Sequence, residues 1–90
     1  MQILQTNLFK KAVKKLHANQ KQALNQAVTA IIANPLLGQQ KLGDLAGVRV
    51  YKFSMVNQLI LLAYNFDGER IVLTLLAVGT HENFYRSLKT

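Results

Sequence analysis

The chain has no cysteine among its 90 residues, which excludes a disulfide framework, a thiolate metal site and a cysteine nucleophile. A small fold without these links must be held by packing, and the absence of cysteine fits the reducing cytoplasm, which we predict as its location. No uninterrupted apolar run approaches the roughly 20 residues that a membrane span needs, and no basic segment with a long apolar run opens the chain. The sequence therefore predicts a protein that is neither secreted nor associated with a membrane.

Potential metal ligands and cofactor motifs are also scarce. The four acidic residues show no ligand spacing, and the two histidines, His17 and His81, fall in different predicted elements. The sequence contains no phosphate-binding loop, no nucleophile elbow and no dinucleotide-binding fingerprint. We therefore predict no metal, no cofactor and no small-molecule substrate.

Positive charge dominates the composition that remains. Eleven lysines and arginines against four acidic residues give a formal net charge of +7, which attracts polyanions and raises their encounter rate. Half of the residues are hydrophobic and only 17% are charged, which predicts a folded chain with one core. We expect a single domain over residues 1–90 whose partner is a nucleic acid or an acidic protein.

Two amphipathic helices are predicted in the first third of the chain. Apolar residues recur at helical spacing over residues 8–16 and again over residues 24–32. Asn19 and Gln22 match a capping box for the second helix, which ends before Pro35 because a proline disfavours helical geometry in the preceding residue. The two helices are expected to form a hairpin.

The first helix carries four basic residues opposite its apolar stripe, and we call them the lysine face. The lysine face consists of Lys10, Lys11, Lys14 and Lys15. Such a face either is simply solvated or follows the phosphates of a nucleic acid. In the second case these lysines would bind RNA or the ribosome.

Three strands follow a glycine-rich loop over residues 35–47. The predicted strands cover residues 48–55, 59–66 and 71–78. Asp67-Gly68 is a favoured signal for a type I′ hairpin turn between the last two strands, and Val56-Asn57 is a weaker candidate for the first turn. With a possible short strand before the first helix, the predicted fold class is α+β. We expect a helical hairpin packed on a small antiparallel sheet, with the elements in the order β-α-α-β-β-β-α.

Residues 79–90 predict a short last helix with Thr80 as its N-cap. His81, Phe84 and Tyr85 share one face of this helix, next to the end of a buried strand. A histidine among aromatic residues is commonly a packing or capping residue, so this pattern alone leaves a structural and a catalytic role open.

The available side chains suit RNA cleavage without a metal. A base takes the proton of the ribose 2′-OH, cations stabilise the charge on the transition state, and an acid protonates the leaving 5′-oxygen. His81 can serve either proton transfer, and Tyr85 or Phe84 can stack on a base. The candidates for the phosphate charge are Arg49, Lys52 and Arg86.

The run Gly-Thr-His-Glu-Asn-Phe-Tyr-Arg at residues 79–86 resembles the C-terminal signature of toxins of the RelE/ParE superfamily, the toxic halves of bacterial type II toxin-antitoxin modules. Residues 47–64, which end in Leu-Ala-Tyr, are similar to the central hairpin of that family. The resemblance implies a microbial-RNase-like fold, a cytoplasmic location and inhibition by a cognate, acidic antitoxin. In the RelE branch it implies metal-independent cleavage of mRNA on the ribosome.

The resemblance also implies roles for single residues. His81 matches a histidine that acts as general acid or base in several members, and Tyr85 matches a C-terminal aromatic that stacks on or orients the substrate. Arg49 and Lys52 lie on the strand where members place phosphate-binding residues, and Arg86 has a positional match only.

One departure from the family pattern keeps other functions open. Many RNase members carry an arginine after the central hairpin turn, where this chain has Gln58-Leu59-Ile60. A missing arginine at Leu59 permits a reduced or different activity, including that of the ParE branch, which inhibits DNA gyrase and is not a nuclease. The pair of His81 and Tyr85 favours the RNase branch. A third hypothesis, a basic nucleic-acid-binding regulator without toxicity, depends on the lysine face alone.

Overall fold

The computed structural model describes residues 1–81, in which two helices pack on one face of a five-stranded mixed sheet. The elements in chain order are β1 (Gln2–Gln5), α1 (Asn7–Lys14), α2 (Ala18–Ala33), β2 (Gln39–Gln40), β3 (Arg49–Met55), β4 (Gln58–Asp67) and β5 (Val72–Thr80). This is the predicted α+β class. Phe84, Tyr85 and Arg86 of the predicted last helix lie outside the described residues. Of the helices in the described part, none has the length and apolar character needed to cross a membrane.

Thr6 fixes the start of α1 and ties it to the sheet. Its hydroxyl accepts a hydrogen bond from the Phe9 N–H at 3.1 Å and donates one to the Leu76 carbonyl at 2.7 Å. Phe9, one turn into the helix, is buried in the core. The N-cap and the apolar stripe thus set both the position and the rotation of α1.

The start of α2 differs from the prediction. His17 is the N-cap, and the Gln20 side-chain oxygen accepts a hydrogen bond from the His17 N–H at 2.7 Å. The predicted box of Asn19 and Gln22 is wrong because both residues already lie inside the helix. Since α1 ends at Lys14, the short link leaves the cap position to His17.

The strand order is β1-β5-β4-β3-β2, and one pairing corrects the expectation of an antiparallel sheet. β1 runs parallel to β5, with Ile3 opposite Leu73, whereas the other pairings are antiparallel. β1 leads into α1 through Thr6, whose hydroxyl contacts the Leu76 carbonyl of β5. β1 therefore runs toward the later residues of β5, and the two strands are parallel. The two-residue strand β2 lies in the segment predicted as a loop.

The two predicted turns have opposite outcomes. Val56 and Asn57 connect β3 to β4 with φ angles of 48° and 65°, which confirms a two-residue turn with positive φ at both positions. The type I′ turn at Asp67-Gly68 is wrong, because Asp67 still pairs with Val72 and four residues form the connection. The Asp67 carboxylate accepts the N–H groups of the two residues after Gly68 and stabilises this longer loop.

Alternation along the strands divides the core into two faces. Ile60, Leu62 and Tyr64 of β4 pack with the helices on what we call the helix face. Leu61 and Ala63 point to the opposite side, the far face, and are also buried. The far face further includes Val50, Lys52, Ala77 and Gly79, which are the cross-strand neighbours of these residues.

Candidate functional site

One row of residues crosses the far face near the end of β5. Lys52 lies opposite Leu61 on β4, and Leu61 lies opposite Gly79 on β5. Paired residues on adjacent strands share a face, and two strand spacings separate the Cα atoms of Lys52 and Gly79 by about 10 Å. The Lys52 side chain is exposed and forms no hydrogen bond or ion pair with residues 1–81. The lysine therefore offers a mobile positive charge on this face.

Gly79, on the same row, has no described neighbour at the position of a Cβ. No atom of the described residues lies within 4 Å of the place where a Cβ would stand at Gly79. On the neighbouring row, Leu59 lies opposite Ser54 and is 55% exposed. Leu59, where the resemblance leads us to expect an arginine, is thus an uncharged, solvent-facing side chain, and Lys52 is the cation that residues 1–81 place on this part of the far face.

His81 directly follows β5 and its side chain is exposed. Thr80, the last residue of the strand, pairs with Ile60. Ile60 in turn pairs with Phe53, the neighbour of Lys52 on β3. The structure therefore brings His81 to the same end of the sheet as Lys52, mounted on a buried central strand.

Arg49 has a different environment, although only three residues separate it from Lys52. Odd and even positions of a strand point to opposite faces, and Arg49 lies on the helix face. Its guanidinium donates hydrogen bonds to the carbonyls of Gly38 at 2.8 Å and Leu36 at 3.3 Å. The structure thus separates the two cations that the sequence prediction groups together.

Tyr64 completes a polar cluster with Arg49, which we call the loop clamp. The Tyr64 hydroxyl accepts the Gly38 N–H at 2.8 Å and donates to the Pro35 carbonyl at 2.7 Å. A Cβ at Gly38 would stand 2.8 Å from the tyrosine ring, so this close approach requires a glycine. Burial raises the pKa of Tyr64 above 10.0, while the Gly38 hydrogen bond and the Arg49 charge act in the other direction. The loop clamp fixes the segment that leaves α2.

The structure also divides the lysine face. All four lysines are exposed, but only Lys11 and Lys15 line a cleft of about 410 Å³ between α1 and the sheet. Thr80, the neighbour of His81, lines the opposite wall. Lys11 and Lys15 therefore lie at the same end of the molecule as the histidine, whereas Lys10 and Lys14 face away from the cleft.

Several features of this site were absent from the sequence prediction. Strand parity alone separates Arg49 from Lys52, because residues three apart on a strand point to opposite faces. The loop clamp and the cleft beside α1 have no signal in the sequence, since both depend on tertiary packing. Within residues 1–81, no group of three His, Cys, Asp or Glu side chains is arranged to hold a metal ion.

A comparison with family models matches residues 3–89 to the ParE-like toxin of type II bacterial toxin-antitoxin systems. No curated protein sequence matches the chain.

Solved structures share the fold at low sequence identity. The E. coli RelBE toxin-antitoxin complex matches with a TM-score of 0.71 and 18% identity over 88% of this chain and 94% of the matched one. The isolated E. coli RelE toxin gives 0.70 and 18% over 98% and 95%. The RelBE2 toxin-antitoxin complex of Mycobacterium tuberculosis gives 0.69 and 20% over 89% and 96%. These likenesses establish the arrangement of helices and strands.

Proposed function

The chain belongs to the ParE-like toxin family of type II bacterial toxin-antitoxin systems, and from this premise we propose that it is an endoribonuclease that cleaves mRNA on the ribosome and inhibits translation. The observation that carries the proposal is the convergence of His81 and Lys52 at one end of the sheet. The likeness of the fold to RelE toxins favours this branch of the superfamily.

The proposed reaction is metal-independent transesterification. The ribose 2′-oxygen attacks the adjacent phosphorus, the bond from phosphorus to the 5′-oxygen breaks, and a cyclic phosphate and a 5′-hydroxyl result. His81 performs one of the two proton transfers, either removing the 2′-OH proton or protonating the leaving 5′-oxygen. Lys52 stabilises the negative charge that develops on the phosphate oxygens.

Residues outside the described part complete the proposal. Tyr85 and Phe84 stack on or orient bases next to the cut, and Arg86 adds charge at the phosphate. We assign the phosphate to Lys52 and Arg86, because the Arg49 guanidinium is held by the carbonyls of the loop clamp.

The proposed partners are a cognate antitoxin and the translating ribosome. Relatives of the same fold have been solved as toxin-antitoxin complexes from E. coli and Mycobacterium tuberculosis. A net charge of +7 suits both an acidic antitoxin and the ribosomal RNA. Action on mRNA places the protein in the cytoplasm.

The alternative function is inhibition of DNA gyrase, which the ParE-like family description and the uncharged Leu59 favour. Induced expression followed by pulse labelling and primer extension on a reporter mRNA separates the two. We expect a rapid loss of protein synthesis with new 5′ ends inside the reporter. Intact messages together with trapped gyrase–DNA complexes would overturn the nuclease assignment.

A further inference from the structure

The cleft between α1 and the sheet, which we call the α1 cleft, combines an apolar floor with a polar rim. The floor consists of Leu8, Ala12, Leu16, Met55, Ile60 and Val78. Lys11, Lys15 and Gln58 lie on the rim. The volume of about 410 Å³ is within the range of about 300–1,000 Å³ that is typical of sites for small organic groups.

We propose that the α1 cleft binds one nucleotide that flanks the scissile phosphate of a single-stranded RNA. Its base would lie on the apolar floor, and Lys11 and Lys15 would hold its phosphate. The proposal rests on the proposed function and adds a subsite to it, because it assigns recognition of a neighbouring nucleotide to a cleft on the helix face.

Continuity with the candidate site is the first support. Gly79 and Thr80 line the α1 cleft and directly precede His81. Gly79 also belongs to the far-face row that contains Lys52. A nucleotide next to one bound at His81 would therefore meet the α1 cleft at Thr80.

Charge complementarity is the second support. Within the described chain, neither Lys11 nor Lys15 forms an ion pair, and the Asp67 carboxylate pairs with Arg70 instead. Asp67 is the last residue of β4 and lies at the opposite end of the β4–β5 pair from Thr80. Among residues 1–81, the α1 cleft thus presents two ammonium groups without an acidic partner, as a phosphate site requires.

The chemistry of the lining favours a base over a purely apolar group. A nucleobase presents apolar faces and polar edges, and it needs a hydrogen-bonding rim around an apolar floor. Gln58, Gln20 and Thr80 supply amide and hydroxyl groups at the rim. The Gln58 side chain forms no hydrogen bond with other described residues, so its amide is available to a base edge.

The lysine face supplies a matched pair of variants. The first pair is Lys11→Gln with Lys15→Gln, and the second pair is Lys10→Gln with Lys14→Gln. Each pair removes two charges from α1 with almost no change in helix propensity. Both pairs are expected to weaken ribosome binding and to flatten its salt dependence, by up to about 1.4 in log–log slope if both charges contact single-stranded RNA. Only the first pair should change which nucleotides beside the cut are preferred.

The experiment measures cleavage by primer extension on ribosomes programmed with messages that differ in the nucleotide on either side of the cut. For wild-type protein we expect rates that depend on one flanking base, and for the Lys11/Lys15 pair we expect this preference to fall about tenfold. The Lys10/Lys14 pair should retain it. Equal effects of the two pairs on the preference would overturn the subsite while leaving the nuclease assignment intact.

A second variant blocks the α1 cleft without changing charge. Ala12→Met places a long side chain over the floor, with Ala33→Met, at the exposed end of α2, as the control. We expect Ala12→Met to lose the flanking-base preference and Ala33→Met to keep it. If the Lys11/Lys15 pair instead loses antitoxin binding with an unchanged cleavage pattern, the cleft is an antitoxin site and the proposal is wrong. If wild-type protein cleaves no message, both the proposed function and the subsite fail.

Discussion

Arg49 and Lys52 lie on the same strand and carry the same charge, but the structure uses them in different ways. Arg49 points to the helix face and is held by the carbonyls of Leu36 and Gly38. Lys52 points to the far face, is exposed and lies on the row that ends at Gly79. The first cation therefore supports the loop clamp, and the second has no hydrogen bond or ion pair with residues 1–81.

The regions around these two residues differ in the same way. In the loop clamp the described polar atoms satisfy one another, and the buried Tyr64 hydroxyl has both a donor and an acceptor partner. The end of the sheet near His81 instead combines an exposed lysine, an exposed leucine and a glycine whose Cβ position has no described atom within 4 Å. Buried polar groups that hydrogen-bond to one another indicate a structural role, whereas an exposed lysine without a partner among residues 1–81 is a candidate for binding.

The largest expected effect comes from His81→Gln, at the end of the sheet that carries Lys52. We expect cleavage to fall by about 10² to 10⁴, the usual contribution of general acid–base catalysis. The free energy of unfolding should stay within about 0.5 kcal/mol of wild type, because the side chain is exposed and glutamine keeps hydrogen-bonding groups. Single-turnover primer extension with a thermal scan tests both parts. Cleavage at the parent rate by a folded variant would refute the catalytic role.

On the loop-clamp side, Tyr64→Phe should affect stability instead. The substitution leaves the Gly38 N–H and the Pro35 carbonyl without their partner, and we expect a loss of about 2–3 kcal/mol in the free energy of unfolding. Urea denaturation provides the measurement. Tyr51→Phe is the control, because the Tyr51 ring stacks on Phe53 and keeps that contact. Equal losses in both variants would contradict the role of the clamp.

Alkaline pH offers a second test of the same cluster. Burial raises the pKa of Tyr64 above 10.0, so the folded state keeps its phenol proton at a pH where the unfolded chain loses it. The contribution to stability is complete below pH 10 and is lost as the pH rises through the folded-state pKa. We expect the stability of the wild-type protein to fall more steeply above pH 10 than that of Tyr64→Phe. Parallel curves would contradict this.

The smallest expected effect lies at the turn between β3 and β4, which belongs to neither region. Val56 has a positive φ of 48°, a conformation that is unfavourable for a β-branched residue. Val56→Asn should raise the free energy of unfolding by about 1 kcal/mol, because asparagine tolerates this conformation. Val56→Ala is the control, since it removes the side chain and keeps a residue that disfavours positive φ. A stability gain in the alanine variant alone would show that exposure of valine, not backbone strain, is relieved.

Much of the fold is predictable from the sequence, because helices and strands follow from local periodicity. The apolar stripe of α1 and the alternation in β3 suffice to place both elements. The parallel pairing of β1, the cap at His17 and the four-residue turn after Asp67 depend on where neighbouring elements end, which local patterns do not encode. The grouping of Arg49 with Lys52 shows the same limit. Residue type suggests that both can bind a phosphate, but the alternation of side chains along β3 decides which face of the sheet each one lies on.

The most direct test of the division between the two faces is a paired substitution on β3. Lys52→Gln should lower the cleavage rate by about 10² and leave the free energy of unfolding within about 0.5 kcal/mol of wild type. Arg49→Gln should cost about 1–3 kcal/mol of stability through its lost carbonyl contacts, and the folded fraction should cleave at the wild-type rate. The opposite result, a stable and inactive Arg49 variant beside a fully active Lys52 variant, would contradict placing the RNA-cleaving site on the far face.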